Sequence, residues 1–208
     1  MKTSPDYISY QGYATLYGFE DDGSRHNAVE LLRDAGMSLA IPGSPGKVLV
    51  LDDTLEKRRD VTDAEFQKMV RSAPSLWFKA WNPEGSDLLC NVQRKGGWWC
   101  QYYVIGYLQA DAEPLVEKLV QWFIAESSLN REHLLVVDWQ NRTEGVDWDE
   151  IWEKTATYDG EAPEVIGIPE RLVSQFVNPL DGQVEDDLPG HRLLTRSTVF
   201  PSRDGAEG

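Results

Sequence analysis

Short stretches in which apolar and polar residues alternate recur along this chain, and a period of two predicts β-strands. The first stretch, 7–19, is rich in tyrosine and bounded by glycine. Two further short strands are predicted around a Pro/Gly turn at 42–46. The later candidates are "LWFKAW", the hairpin "LLCNVQRKGGWWCQYYVIGYL" and the apolar run "HLLVVDW". The pattern therefore predicts a sheet.

Apolar residues spaced three and four apart predict helices between these strands. "HNAVELLRDAG" has this spacing and ends at Gly36. In "DVTDAEFQKMVRSA", Thr62 and Glu65 stand in the capping-box positions of a helix start. The clearest helix is 111–128, with Asp111 as its cap and Pro114 in its first turn. Its broad apolar side predicts that it packs on the sheet.

The chain changes character after Asp138. Residues 138–164 contain nine acidic and two basic side chains, a net charge of −7. Within them, "VDWDEIWEKTA" predicts a short helix capped by Asp147, and "IPERLVSQFV" predicts a last helix with Pro169 at its first position. Beyond residue 178, proline, glycine and charged residues predominate without periodicity.

These elements together predict an α+β fold. We expect a single domain over 1–177, with helices packed on a mostly antiparallel mixed sheet, and an irregular or partly disordered tail over 178–208. The longest uncharged apolar runs are only a few residues, far short of the roughly 20 that span a bilayer. The N-terminus lacks the apolar stretch of a signal peptide, so a cytoplasmic location is expected.

The only two cysteines, Cys90 and Cys100, lie in the predicted hairpin. A three-residue turn with Gly96 in the left-handed conformation would place them directly opposite each other on the more apolar face. In a reducing compartment they are expected to stay unpaired and buried. Trp99 and Tyr103 would share the other face with amide side chains, and this face would either bind a partner or lie beneath helix 111–128.

The acidity of the chain suggests a function in protein binding. Thirty-five acidic against twenty basic side chains give a net charge of −15, which repels phosphate backbones and anionic membranes. A basic protein partner is therefore expected, bound by a stoichiometric inhibitor or immunity-type protein that neutralises, for example, a toxin. Alternatively, the tryptophans belong to the core and the acids only face water. The candidate contacts are Trp139, Asp147, Trp148, Asp149, Glu150, Trp152 and Glu153, together with Trp99 and Tyr103 on the hairpin.

Two other classes of function stay open. One is a small-molecule hydrolase or transferase, and the side chains that could line its pocket are Asp52, Asp53, Cys90, Cys100 and His133. The other is a structural module that forms homo-oligomers. The sequence contains no phosphate loop, nucleophile elbow, dinucleotide fingerprint, zinc motif or calcium loop, so no cofactor or metal site is predicted.

Overall fold

Eleven strands of the described chain hydrogen-bond into one antiparallel sheet. The computed structural model describes residues 12–20, 28–105, 109–177 and 183–196. The strands are β1 (Tyr13–Phe19), β2 (Ala40–Ile41), β3 (Ser44–Leu51), β4 (Arg58–Thr62), β5 (Ser75–Trp81), β6 (Asp87–Lys95), β7 (Trp98–Val104), β8 (His133–Asp138), β9 (Val165–Pro169), β10 (Gln183–Leu188) and β11 (His191–Arg196). Their order is β10-β11-β9-β8-β1-β7-β6-β5-β3-β2, and β4 pairs with β3.

Five helices in the described residues pack on the two faces of this sheet. They are α1 (Ala28–Asp34), α2 (Asp63–Ser72), α3 (Gln109–Ser128), α4 (Trp148–Trp152) and a 3₁₀ helix (Glu170–Gln175). The first face packs against α1, α2 and α3, and the second face packs against α4 and the 3₁₀ helix. The predicted α+β fold with a mostly antiparallel sheet is confirmed.

The first face is closed by α3, whose Leu115, Leu119 and Phe123 are fully buried. Gly167 of β9 lies directly beneath the Phe123 ring. A Cβ atom at this glycine would lie 2.5 Å from Cζ of Phe123, so a larger residue would push the helix away from the sheet. Close packing of this kind is typical of a protein interior.

Two of the predicted helix starts, those of α2 and α4, agree with the structure. Thr62 Oγ1 accepts a hydrogen bond from the Glu65 amide at 3.3 Å, and Glu65 Oε2 accepts one from the Thr62 amide at 2.8 Å. These reciprocal bonds satisfy two amides that a helix start otherwise leaves unpaired. Asp147 caps α4 as predicted, and α3 begins at Gln109 rather than at a cap on Asp111.

The predicted register of the hairpin is wrong. Cys100 pairs with Gln93 and Cys90 pairs with Tyr103, so the two cysteines lie on opposite faces. The turn consists of Gly96 and Gly97, with φ values of +60° and +89°. Two positive φ values suit the tight turn whose twist matches that of the flanking strands. Because most residues on both faces of the hairpin are buried or half-buried, its apolar pattern did not distinguish the two registers.

Part of the predicted irregular tail is regular. Residues 183–196 form β10 and β11, and β11 pairs with β9 and buries Leu193. Residues 178–182 and 197–208 of the predicted tail, and 7–11 of the first predicted strand, lie outside the described residues. None of the helices in the described chain combines the length and apolar character needed to cross a membrane.

Candidate binding site

An open cleft of about 610 Å³ lies on the second face of the sheet. Its base is formed by β1, β7, β6 and β5, and its wall by α4 and the loop 139–147, which we call the rim loop. The helix α4 covers one part of this face, where Trp152 packs on Tyr17, and leaves the neighbouring part open. The cleft is the open part.

Two rows of side chains cross the base of the cleft because strand register places them opposite one another. The first row contains Thr15, Tyr102, Asn91 and Trp77, each paired with the next on the neighbouring strand. Tyr17, Cys100 and Gln93 form the second row in the same way. Since side chains two apart on a strand share a face, both rows point into the cleft.

Aromatic rings form much of the cleft surface. The Tyr102 and Tyr13 rings stack with centroids 5.4 Å apart, and Trp77 meets Tyr102 edge to face at 6.3 Å. Trp77 and Tyr102 are half-buried, whereas Tyr13 and Trp148 are buried. The half-buried rings give the cleft ring area that a ligand can cover.

A chain of hydrogen bonds fixes the rim loop to the base. Trp148 Nε1 donates to the Tyr13 hydroxyl at 2.6 Å, and that hydroxyl is hydrogen-bonded to Thr143 Oγ1. Thr143 Oγ1 and its amide both donate to Oδ2 of the buried Asp138 at 2.7 Å, while the Arg142 amide donates to Oδ1 at 2.9 Å. Burial raises the pKa of Tyr13 to about 12, so it stays a neutral phenol in this chain. The loop is therefore held in place.

Carboxylates supply the charge of the cleft. Glu144 and Asp147 are exposed in the rim loop, and the half-buried Asp149 accepts a hydrogen bond from the Tyr17 hydroxyl at 2.9 Å. Asp147 Oδ1 accepts from the amides of Asp149 and Glu150. No Lys or Arg lines the cleft within the described chain, although the Lys95 ammonium lies 3.9 Å from Asp149 Oδ2.

The polar groups of the base are oriented by their neighbours. Ser75 Oγ donates to Asp53 Oδ1 at 3.2 Å and accepts from Asn91 Nδ2 at 3.3 Å. Because Nδ2 is used in this way, Oδ1 is the atom of Asn91 left for the cleft. Asn91 is 1% exposed and forms part of the cleft lining.

Four of the five side chains considered for an enzyme pocket lie outside the cleft. Cys90 and His133 are buried on the first face, and Asp52 caps a turn by accepting from Thr54 Oγ1 at 2.8 Å. Asp53 does not line the cleft and is linked to the lining residue Asn91 only through Ser75. Cys100 does line the cleft, but burial raises its pKa to about 12. It is a neutral thiol, a form that is a poor nucleophile.

The tryptophans predicted as exposed contacts are largely buried. Trp148 is 5% exposed and Trp152 is 1% exposed, both packed against the second face. Trp99 and Tyr103 are buried in the first-face core, and the Trp99 ring meets Trp122 of α3, in agreement with the alternative that the sequence left open. Trp139 is half-buried and packs against the first-face core. Short helices and strands bury such large rings because their apolar area favours packing.

The predicted acidic contacts lie nearer the surface. Asp147, Glu150 and Glu153 are exposed, but only Asp147 and Asp149 of the predicted acidic set line the cleft.

Trp77 and Tyr102, the two half-buried rings of the cleft, were not identified from the sequence. The alternation in "LWFKAW" separates Trp77 from the more apolar Leu76 and Phe78, and this signal could have placed it on the other face.

The chain matches no known protein-family model and no curated protein. The functional interpretation therefore depends on the geometry and electrostatics of the cleft.

In the described chain there is no group of three or more His, Cys, Asp or Glu side chains placed to hold a metal ion.

Proposed function

We propose that this protein is a non-catalytic binding protein that recognises a basic partner protein through the cleft. The observation that carries the proposal is the combination of an aromatic base with a carboxylate rim in one pre-formed cavity. Aromatic rings attract cations through their negative faces, and carboxylates attract them through charge. A positively charged side chain of the partner would contact both.

The net charge of −15 supports the same proposal. A strongly negative surface speeds the encounter with a basic protein, and a fixed cleft then selects the matching side chain. The class of protein that best fits these properties is a stoichiometric inhibitor or immunity-type protein that neutralises a basic partner such as a toxin. A cytoplasmic location is part of the proposal, because two free cysteines suit a reducing compartment.

A hydrolase or transferase is less well supported by this geometry. Only Cys100 of the five side chains considered for catalysis lines the cleft, and no described histidine lies beside it there. A nucleophilic thiol needs a neighbouring base or a lowered pKa, whereas burial raises this one.

The test is selection from a displayed library of random peptides on the purified protein. We expect the selected peptides to be enriched in basic residues. A double variant, Asp147→Asn with Asp149→Asn, should bind them roughly tenfold more weakly, the scale expected for lost charge-assisted contacts. Asparagine keeps both the α4 cap and the acceptor for Tyr17.

The control is Glu117→Gln with Glu150→Gln, which changes the net charge equally at exposed sites outside the cleft. This control should bind like the wild type. Selected peptides without basic residues, or equal losses in both double variants, would contradict the proposal.

A further inference from the structure

We infer that the cleft recognises an arginine side chain of the partner, with the guanidinium stacked between the rings and the rim. This inference rests on the proposed function and names the group that the cleft takes. It depends on three observations: the ring area of the cleft, hydrogen-bond acceptors at its base and at its rim, and an arginine bound in the same way elsewhere on the same face.

The ring area favours a planar cation. Trp77 and Tyr102 are the half-buried rings, arranged edge to face at 6.3 Å, so a flat group can lie on one ring while meeting the edge of the other. Guanidinium is planar, delocalised and weakly hydrated, and it stacks on aromatic faces. The ammonium of lysine is a compact and strongly hydrated charge, and it gains less from such a surface.

Acceptors lie at two levels of the cleft. At the base, Asn91 lines the cleft and donates from Nδ2 to Ser75 Oγ, so Oδ1 is the atom of this amide that can accept a hydrogen bond. At the rim, Asp149 Oδ2 lies 3.9 Å from Lys95, beyond hydrogen-bonding distance, and Asp147 uses Oδ1 for the α4 cap. A guanidinium has N–H donors pointing in several directions and no acceptor, so one group can serve both a base and a rim acceptor.

The second face already holds one guanidinium in this way. Arg171 lies with its guanidinium carbon 3.9 Å from the centroid of the Trp152 ring and 5.0 Å from that of Phe19. Its Nε lies 2.8 Å from Glu132 Oε2. Beside α4, Arg171 therefore stacks on aromatic rings and pairs with a carboxylate. The cleft offers the same combination of rings and carboxylates to an arginine of the partner protein.

The experiment compares three blocked pentapeptides that differ only in a central arginine, lysine or citrulline. Citrulline keeps the shape of arginine but lacks its charge. Binding is followed by NMR titration of ¹⁵N-labelled protein, using the indole N–H signal of Trp77. We expect the arginine peptide to bind with millimolar or better affinity, the lysine peptide roughly fivefold more weakly, and the citrulline peptide not measurably.

Variants of Trp77 test whether the arginine side chain binds at this ring. Trp77→Leu should reduce arginine binding roughly tenfold by removing the stacking ring, and Trp77→Phe should restore part of it. Trp122→Leu is the matched control, since it removes a half-buried tryptophan of α3, which packs against the first face outside the cleft, and should leave binding unchanged.

Equal binding of the arginine and lysine peptides, or unchanged arginine binding in Trp77→Leu, would overturn the inference. In that case, capture of basic library peptides through Asp147 and Asp149 would still support the proposed function. No response of Trp77 to the arginine peptide at millimolar concentration would also overturn the inference. The proposed function fails separately, when the library selection yields no basic peptides.

Discussion

The two faces of the sheet use the same strands for different purposes. The first face is closed by three helices, and its rings and aliphatic chains meet one another, as Phe66 and Phe78 do. On the second face, α4 and the 3₁₀ helix cover only one part, and half-buried rings together with the Asn91 amide line the other. The comparison teaches that apolar packing on one side of the strands can hold the sheet together while the other side keeps an open cleft.

The largest loss of stability is expected when a buried ring is removed from the core of the first face. Phe123→Ala removes a fully buried ring from α3 and should lower the free energy of unfolding by about 3–5 kcal/mol. Trp77→Leu, on the open face, should cost about 1 kcal/mol because its ring is only half-buried. Urea unfolding of both variants measures the difference. Equal losses would break the distinction between the faces.

A smaller loss is expected where the second face holds the rim loop. Asp138→Ala leaves the Thr143 amide, the Thr143 hydroxyl and the Arg142 amide without their buried acceptor, which should cost about 3 kcal/mol. It should also weaken the binding of selected peptides, because the loop carries Asp147. Urea unfolding and peptide titration test the two effects. An unchanged affinity would mean that the loop position does not matter for binding.

At alkaline pH, ionisation of Cys100 on the second face should lower the free energy of unfolding. Burial raises its pKa from 9.0 to about 12, so the folded protein keeps the thiol protonated where the unfolded chain ionises. Its contribution to stability is full below pH 9 and is lost as the pH rises from 9 toward 12. By pH 11 this loss amounts to about 2–3 kcal/mol.

The check is a Cys100→Ala variant, whose free energy of unfolding should fall less between pH 9 and pH 11 than that of the wild type. Buried tyrosines, which lose stability in the same direction, are common to both proteins. Parallel pH profiles would show that the thiol does not have its inferred environment.

The smallest effect is expected at the mouth of the cleft. The Lys95 side chain is more than half exposed, with Asp149 and Glu153 at 3.9 and 3.8 Å, so Lys95→Met should change stability by less than about 0.5 kcal/mol. Removing this competing cation should tighten the binding of an arginine peptide slightly. Titration calorimetry measures the change, and weaker binding would argue against Asp149 as a contact.

The sequence predicts much of the fold but less of the site. The capping box at Thr62 and the Asp147 cap depend on local chemistry, and the structure bears them out. The predicted helix 111–128 is present as α3, but it begins two residues earlier, at Gln109. The strands β4 and β9 were not predicted, because "RRD" looks like solvent-exposed chain and β9 is a run of only five residues.

The cleft could not be predicted from the sequence, because it depends on contacts between residues far apart in the chain. Its base depends on pairing across four strands, and a register error in the β6–β7 hairpin moves Asn91 away from Tyr102. The turn formed by Gly96 and Gly97 fixes that register, whereas the apolar pattern does not. The tryptophans of 138–164 were predicted to lie at the surface. Two of them, Trp148 and Trp152, are buried instead, because burial of their large apolar rings is favourable.

The most direct test of the cleft is chemical-shift mapping of the labelled wild-type protein with a library-selected basic peptide. We predict that the shifted backbone amides lie in 75–77, 91–93, 100–102 and 141–149, the segments that build the cleft, while the amides of α3 stay unchanged. Shifts that fall on α1, α2 or α3 and spare these segments would contradict the account.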